Sequence, residues 1–424
     1  MTSTFLKISL LLLALPLAAQ ERRLWVLRPS GEMVEYDLAT FTAKQTIKLP
    51  ADAAQSPQSI SVNHLGHMLF STPPPLPLAE TDVDSPPKVW FWNGHAATTL
   101  DLGTRREISG AGSNQAVNES AAAVYLSADG AHLDWFANQA RRLERDDVDL
   151  STATTWKAWR TDLTGASRED LTSTKFPDCR CPTGTCEESC PYGQVWTPGD
   201  GIGKVFLMSQ FVAGKTTPIY KESSRCQQDG SKWTCTALSS PLRRVLDADS
   251  EANVIVEAIP DTGCCGWSNQ SDDQTLVRAN GKPLTVFDEL ATYKNSDYDV
   301  SFYTANARLS PSLASIAMTI TSTAEANKPI QLAEEGQANP EESKAIRKAL
   351  AELPAVEVKS IDAKSATESP AQLAFVPHAT LVGWINEKEI LMVEDHMLVV
   401  FNVAKGVRRR SAVRVEDAAH VFLR

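Results

Sequence analysis

Outside one stretch this chain has no cysteine: none precedes Cys179 and none follows Cys265 in its 424 residues. A disulfide framework spread over the whole molecule is excluded, and any staple must be local. Beyond the first twenty residues no apolar run reaches the ~20 residues that a membrane-spanning helix needs, so the sequence offers no transmembrane segment in the mature chain. Neither a Gly-x-Ser-x-Gly elbow nor a Gly-rich phosphate loop occurs, which removes the usual serine-hydrolase and nucleotide chemistries at the level of motif. Positive charge is also short, with 41 Lys and Arg against 52 Asp and Glu and a formal charge of -11. A general nucleic-acid binder must neutralise phosphates, so this balance argues against one, and equally against an anionic membrane surface. What remains is apolar material for a core, 42% of residues, in a length that suits two or three domains or one large all-β domain.

The N-terminus reads as an export signal. Lys7 precedes the apolar core Ile8–Leu17, and the small pair Ala18-Ala19 stands before Gln20. The core is too short to cross a bilayer, so residues 1–19 are expected to be a signal peptide cleaved after Ala19. No cysteine stands at the cleavage point to carry a lipid. The mature chain, 20–424, is therefore expected in the periplasm or outside the cell, where eight cysteines read as disulfides before they read as free thiols or metal ligands.

Strand-sized runs dominate the rest of the chain. Leu24-Trp-Val-Leu27, Glu32–Leu38 and Lys44–Leu49 are rich in branched and aromatic residues and are separated by turn residues such as Pro29-Ser-Gly31. One phrase recurs: Tyr36-Asp-Leu-Ala-Thr40, Trp159-Arg-Thr-Asp-Leu-Thr-Gly165 and Val400-Phe-Asn-Val403 with Lys405-Gly406. A second is a turn before a strand, in Leu126-Ser-Ala-Asp-Gly130, Leu309-Ser-Pro-Ser312 and, with Ala252 where Gly is expected, Asp247–Asn253. Short strands repeating every ~40–50 residues are how propeller blades look in sequence. These phrases resemble those of the TolB-like and WD40-like bacterial β-propellers, a diffuse likeness over most of residues 22–424. The resemblance implies an all-β fold, a single β-propeller of seven blades with six as the alternative, in which the Asp-Gly turn joins inner strands and the Asp-Leu-x-Gly phrase closes the third. Blades are expected near 22–50, 58–103, 119–176, 200–243, 244–290, 300–362 and 377–424, with Ala418–Arg424 closing the ring beside Leu24–Leu27.

Three insertions interrupt the repeat. Pro73–Pro77 through Pro86-Pro87 cannot sit inside a sheet. The Cys-bearing run 177–199 is the second. The third, 339–353, places Asn339 as N-cap and Pro340 at the first helical position, with an acidic start and basic middle, and predicts a short helix.

The candidate site residues lie mostly in these interruptions. Cys226 and Cys235 flank the hairpin turn Asp229-Gly230 and are expected to bond across paired strands. Cys179, Cys181, Cys186 and Cys190 form C-x-C-x4-C-x3-C, read as two disulfides, with a tetrahedral metal site as the alternative. The adjacent Cys264-Cys265 is read as an anchor between its turn and the 179–190 run, the alternative being a reducible vicinal pair that acts in redox or ligand gripping. Trp267, beside that turn, is a candidate aromatic anchor for a partner. No metal or cofactor is assigned; the polar run Ser268–Gln274 offers carboxylates to Ca²⁺ without EF-hand spacing and reads as a solvated turn. His64-Leu-Gly-His67 reads as a turn, Arg408-Arg-Arg410 as a solvated strand face, and Trp90, Trp92, Trp135, Trp156, Trp159 and Trp384 as core.

These readings lead to a binding or scaffold propeller that recognises a protein, peptide or glycan partner through its rim loops or central funnel. The alternative is a propeller enzyme of lactonase or lyase type, its carboxylates and histidines gathered from several blades at the central channel.

Overall fold

The computed structural model describes residues 22–50, 59–62, 67–71, 89–100, 102, 104–110, 113–126, 131–144, 151–170, 192–196, 205–212, 219–229, 232–240, 242, 244–260, 272–288, 302–322, 340–361, 370–417 and 419–423. They form seven antiparallel sheets, and the chain is a seven-bladed β-propeller. The first blade holds Leu24–Leu27 (β1), Glu32–Tyr36 (β2) and Ala43–Lys48 (β3). Ser59–Val62 (β4), Met68–Ser71 (β5), Val89–Trp92 (β6) and Ala97–Leu100 (β7) make the second. The third has five strands, Thr104–Gly110 (β8), Ser113–Leu126 (β9), His132–Glu144 (β10), Ser151–Asp162 (β11) and Arg168–Asp170 (β12). Tyr192–Trp196 (β13), Val205–Val212 (β14), Ile219–Asp229 (β15) and Lys232–Ala237 (β16) form the fourth. The fifth is Arg244–Ala248 (β17), Val254–Pro260 (β18), Asp272–Ala279 (β19) and Lys282–Asp288 (β20). In the sixth, Phe302–Leu309 (β21) and Ser315–Ser322 (β22) are followed by a helix, Pro340–Glu352 (α1), and then by Ala355–Ser360 (β23) and Gln372–Pro377 (β24). Ala379–Asn386 (β25), Glu389–Glu394 (β26), Met397–Asn402 (β27) and Val407–Arg414 (β28) complete the seventh. The last strand, His420–Leu423 (β29), returns to the first blade.

That return closes the ring where the sequence predicted. β29 pairs with β1 in the register Leu24↔Leu423 through Leu27↔His420, so one blade is built from both ends of the chain. Packing confirms the circle. Trp25, Leu27 and Met33 of the first blade share a cluster with Met68, Phe70 and Trp90 of the second, and Leu69 and Phe91 join the second to Trp135 and Leu133 of the third. β9 touches β13 of the fourth. Val205 and Leu207 then meet Val245 and Ile255 of the fifth, Val256 and Phe287 meet Ala307 and Ile316 of the sixth, and Val356 and Val358 meet Leu381 and Trp384 of the seventh. Leu391 and Val400 finally reach Leu24 and Val34 of the first. A four-stranded blade is apolar on both faces and cannot bury either alone, so the ring is what satisfies every blade. Full burial of one large apolar side chain at these junctions contributes about 1.5–3 kcal/mol.

Of the six tryptophans expected in the core, Trp90, Trp92, Trp135 and Trp384 are buried and Trp159 is partly buried against the cluster of the second and third blades, while the side chain of Trp156 lies outside what the structure describes. Three boundaries differ from expectation, the first being the third blade, whose sheet begins at Thr104 with β8 and β9 rather than near 119. The 177–199 insertion contains β13, the first strand of the fourth blade, because Tyr192, Val195 and Trp196 supply β-forming residues that the neighbouring Pro191 and Gly193 disguise. The sixth blade ends at Pro377 rather than 362, since its outer strand β24 follows the polar connection 361–371. The 339–353 helix is present as α1, seated through Ile346, Ala349 and Leu350.

Candidate functional site: the face of long connections

The inner strands run in the same direction around the ring. Asn306 Nδ2 donates to Leu381 O (3.1 Å) and Trp384 Nε1 to Arg308 O (2.9 Å), which sets β21 and β25 side by side and parallel. Likewise Arg308 donates to Leu246 O (2.9 Å), while the buried Asp247 carboxylate accepts the Leu309 amide (2.7 Å), aligning β17 with β21. An antiparallel blade sends its first-to-second and third-to-fourth connections out at one end. The second-to-third connection, and the passage to the next blade, leave at the other. With parallel inner strands, these ends add up to two faces of the ring.

The first face is made of short turns that the chain caps itself. At the end of the third strand Asp37 Oδ1 accepts the amides of Ala39 (3.0 Å) and Thr40 (2.8 Å). Asn402 does the same for Lys405 (3.0 Å), and Asp162 for Thr164 (2.8 Å). These are the residues of the first recurring phrase, so its Asp or Asn is the capping acceptor of an Asx turn. The Thr40 amide and hydroxyl hold the Asp37 carboxyl down at about 2, and the hydroxyls of Thr164 and Ser167 hold Asp162 well below the usual carboxylate range. Asn93 is a fourth copy, accepting the amides of His95 and Ala96 (3.0 Å each). Its sequence signal was Asn93-Gly94 directly after the aromatic run Trp90-Phe-Trp92. The second phrase caps the first-to-second turn: Asp249 Oδ1 accepts the Val254 amide (2.6 Å) and Ser310 Oγ the Ser315 amide (3.1 Å). Three residues after each cap the backbone takes a left-handed conformation, φ 51° at Ala252 and 62° at Leu313. The site where the sequence lacked its expected Gly thus keeps the conformation that Gly favours.

The second face carries the length. Connections 72–88, 171–191, 261–271, 289–301 and 323–354 all leave from it, over blades two to six. The opposite face has one connection of comparable reach, 361–371. Helix α1 lies in the longest of the set, and its end is tied to the junction of the sixth and seventh blades by amides of His378 and Ala379 donating to Glu352 O (3.1 Å) and Pro354 O (2.9 Å). Lys344, Arg347 and Lys348 are carried along it.

Of the sequence-predicted residues, Cys226 and Cys235 are described and bonded. They face each other in the β15–β16 register and form a disulfide with an S–S distance of 2.00 Å. Cys179, Cys181, Cys186, Cys190, Cys264, Cys265 and Trp267 lie outside the described residues, as does the 1–19 leader. The strand ends that bracket them, Asp170 and Tyr192, Pro260 and Asp272, all open onto the long-connection face. The polar run 268–274 is partly described: its residues from Asp272 onward belong to β19. His67 packs its ring edge-on to Phe91 at 5.5 Å.

Arg408-Arg-Arg410 is exposed but not merely solvated. Arg408 and Arg410 both bind the buried Glu394 carboxylate (2.7 and 3.2 Å), and Arg409 crosses to the first blade, donating to Ala39 O (2.6 Å) with its guanidinium 5.0 Å from the Phe41 ring. Arg409 therefore bolts the seam of the ring, while Arg408 and Arg410 tie the outer strand of the seventh blade to β26. Sequence reading missed this role, and missed Glu257, fully buried in β18 and paired with Arg278 of β19, which also donates to Ser240 Oγ (2.8 Å). The enzyme alternative asked for carboxylates converging from several blades. Among the described residues the buried Glu257, Glu357 and Glu394 each pair with a cation of their own blade, and no three His, Cys, Asp or Glu side chains gather as a metal would require. No helix among them is long and apolar enough to cross a membrane.

No family model matches the chain, and no curated protein matches it. Among solved structures it is similar to apo AztD from Citrobacter koseri, at 7% identity and TM-score 0.42 over 95% of this chain and 97% of that one. It is similar also to the dihydro-heme d1 dehydrogenase NirN, at 10% identity and TM-score 0.41 over 94% and 74%. The WD40 domain of SCAP from fission yeast resembles it at 7% identity and TM-score 0.36 over 94% and 88%.

Proposed function

We propose that this chain is an exported binding propeller that holds a protein, peptide or glycan partner on its long-connection face. The observation that carries this reading is the inequality of the two faces. A blade needs only a few residues to turn, and the capped turns of one face use no more. The other face spends long connections that ring closure does not require, and all eight cysteines except the Cys226–Cys235 pair fall in two of them. Disulfides there would preorganise the loops and reduce the entropy lost on binding. Trp267 is the proposed anchor, since Trp is favoured where a partner fills a pocket.

Two measurements test it. Trp267→Ala, with every cysteine intact, is expected to weaken partner capture from extracellular extracts with little change in Tm; unchanged capture, or a drop in Tm alone, would make the face structural. A photo-crosslinking residue at Asp395, on the long-connection face, is expected to label the partner, whereas one at Lys388, on the capped face, is expected not to. Equal labelling from both would refute the assignment of the face.

A further inference from the structure

The second-to-third connection of the sixth blade carries more than a blade needs. The same connection of the seventh blade, between β26 and β27, is only Asp395-His396, whereas that of the sixth runs from 323 to 354 and contains α1. The helix is held rigidly. Ile346, Ala349 and Leu350 seat it, each of them buried, and the chain just beyond Leu350 receives the His378 and Ala379 amides at the junction with the seventh blade. At about 100° per residue these three apolar side chains fall on one side of the helix. Lys344, Arg347, Lys348 and Ala351 fall on the opposite side, and all four are exposed. Lys344 and Lys348 stand one turn apart, ~6 Å along the axis, with Arg347 beside them.

Among the described residues no carboxylate pairs with these cations, although the helix offers two at the right spacing. Glu352 stands four residues after Lys348 and Glu341 three before Lys344, separations at which helical side chains meet, yet neither forms an ion pair with its lysine. Other cations of the chain are bound internally: Arg278 to Glu257, Lys359 to Glu357, Arg408 and Arg410 to Glu394, and Arg409 to Ala39 O. The helix α1 therefore displays three unpaired positive charges on one seated face, in a chain whose formal charge is -11.

We propose that the exposed face of α1 docks an acidic peptide segment of the partner, its carboxylates paired with Lys344, Arg347 and Lys348. This rests on the reading of the long-connection face as the binding face and names the partner's chemistry there. Charge complementarity selects the occupant, because unpaired cations on a seated helix attract carboxylates and suppress basic partners. Span selects a peptide over a polyanion. Three cations within about one turn match two or three carboxylates, which an extended chain presents ~6–7 Å apart at alternate residues. Duplex nucleic acid brings a charge every ~1.7 Å of its axis and runs on past the strip over an acidic chain. A sulfated glycan or an anionic bilayer extends beyond the strip in the same way.

The probe is a phage-displayed random dodecapeptide library panned on the intact protein at low salt, followed by fluorescence anisotropy with synthetic copies of the selected peptides. The selected peptides are expected to be rich in Asp and Glu. Lys344→Gln, Arg347→Gln and Lys348→Gln made together are expected to weaken their binding about tenfold or more with Tm unchanged, since all three side chains are exposed. Lys344→Arg with Lys348→Arg keeps the charge and is expected to keep the affinity. Binding to the unsubstituted protein is expected to weaken steeply between about 25 and about 300 mM NaCl, and this salt dependence, with the single substitution Lys348→Gln, decides the matter should the triple variant fail to fold. Selected peptides that lack acidic residues, or that bind the triple variant as well as the parent, would overturn the docking face. If those peptides lose affinity to Trp267→Ala the face assignment stands, and if they respond to neither change both readings fall. Capture of duplex DNA, heparin or phosphatidylglycerol vesicles through the same three cations, with no acidic peptide selected, would also overturn the proposal.

Discussion

The ring body and the arm of the third blade, where β8 and the long strands β9, β10 and β11 continue beyond the register shift at Phe136/Ala137, are made of the same antiparallel ladder but are held in different ways. In the ring, blades five, six and seven contribute side chains that bond the next blade's backbone: Asp247 to the Leu309 amide, Thr319 Oγ1 to the Leu381 amide (2.8 Å), Arg409 to Ala39 O. Asp247 and Thr319 are buried between apolar layers, where a lost partner is costly, whereas Arg409 is exposed. Among the described residues the arm is held by the ladder pairing of β8, β9, β10 and β11. Closure thus depends on the junctions, and sequence change there is expected to alter folding more than sequence change in the arm.

The largest expected effect comes from deleting residues 420–424. β1 would lose one of its two partner strands and the seam its buried Leu423, and the protein is expected to fail to give a cooperative thermal transition by circular dichroism. A normal transition would show that closure does not depend on β29. Next, Arg278→Met removes a cation paired with the fully buried Glu257 carboxylate, a change expected to cost about 3–5 kcal/mol in urea unfolding. Asp247→Ala frees the Leu309 amide at the junction of blades five and six and is expected to cost about 1–3 kcal/mol. If either were neutral, the distinction between junction and arm would weaken.

A smaller effect concerns Asp37, half-buried in its turn with a folded pKa of about 2 against an ordinary 3.8. A depressed folded pKa contributes stability that is present above the unfolded value and lost as pH falls through the folded one. The Tm difference between the parent protein and Asp37→Asn is therefore expected to shrink between pH 4 and pH 2; a constant difference would detach the cap from its charge. The smallest effect is expected from the arm: replacing 139–155 by Asn-Gly should change unfolding free energy by less than about 1 kcal/mol and abolish slow hydrogen exchange only in the arm.

The repeated phrases made the ring legible, because a capping Asp or Asn and a left-handed turn position are local requirements that a short stretch of sequence must meet by itself. The Cys226–Cys235 hairpin was legible for the same reason: its turn and its register are set within ten residues. β13 and β24 were obscured because a strand that follows cysteines or a polar connection loses its turn signals, and only pairing with β14 and β23 identifies it. Trp267 and the cysteines near it could be proposed from residue type and compartment alone.

Sequence alone determined the blade repeat, the strand character of the terminal run and the helix at Pro340, since each depends on neighbours in the chain. Tertiary structure alone decided that Arg409 spans the seam, that Asp247 and Glu257 are buried and partnered, that the long connections share one face, and that β8 joins the third sheet beside β9. These depend on contacts between residues distant in sequence, such as Arg409 and Ala39 at the two ends of the chain, and no local pattern encodes which blade will stand beside which until the ring has closed.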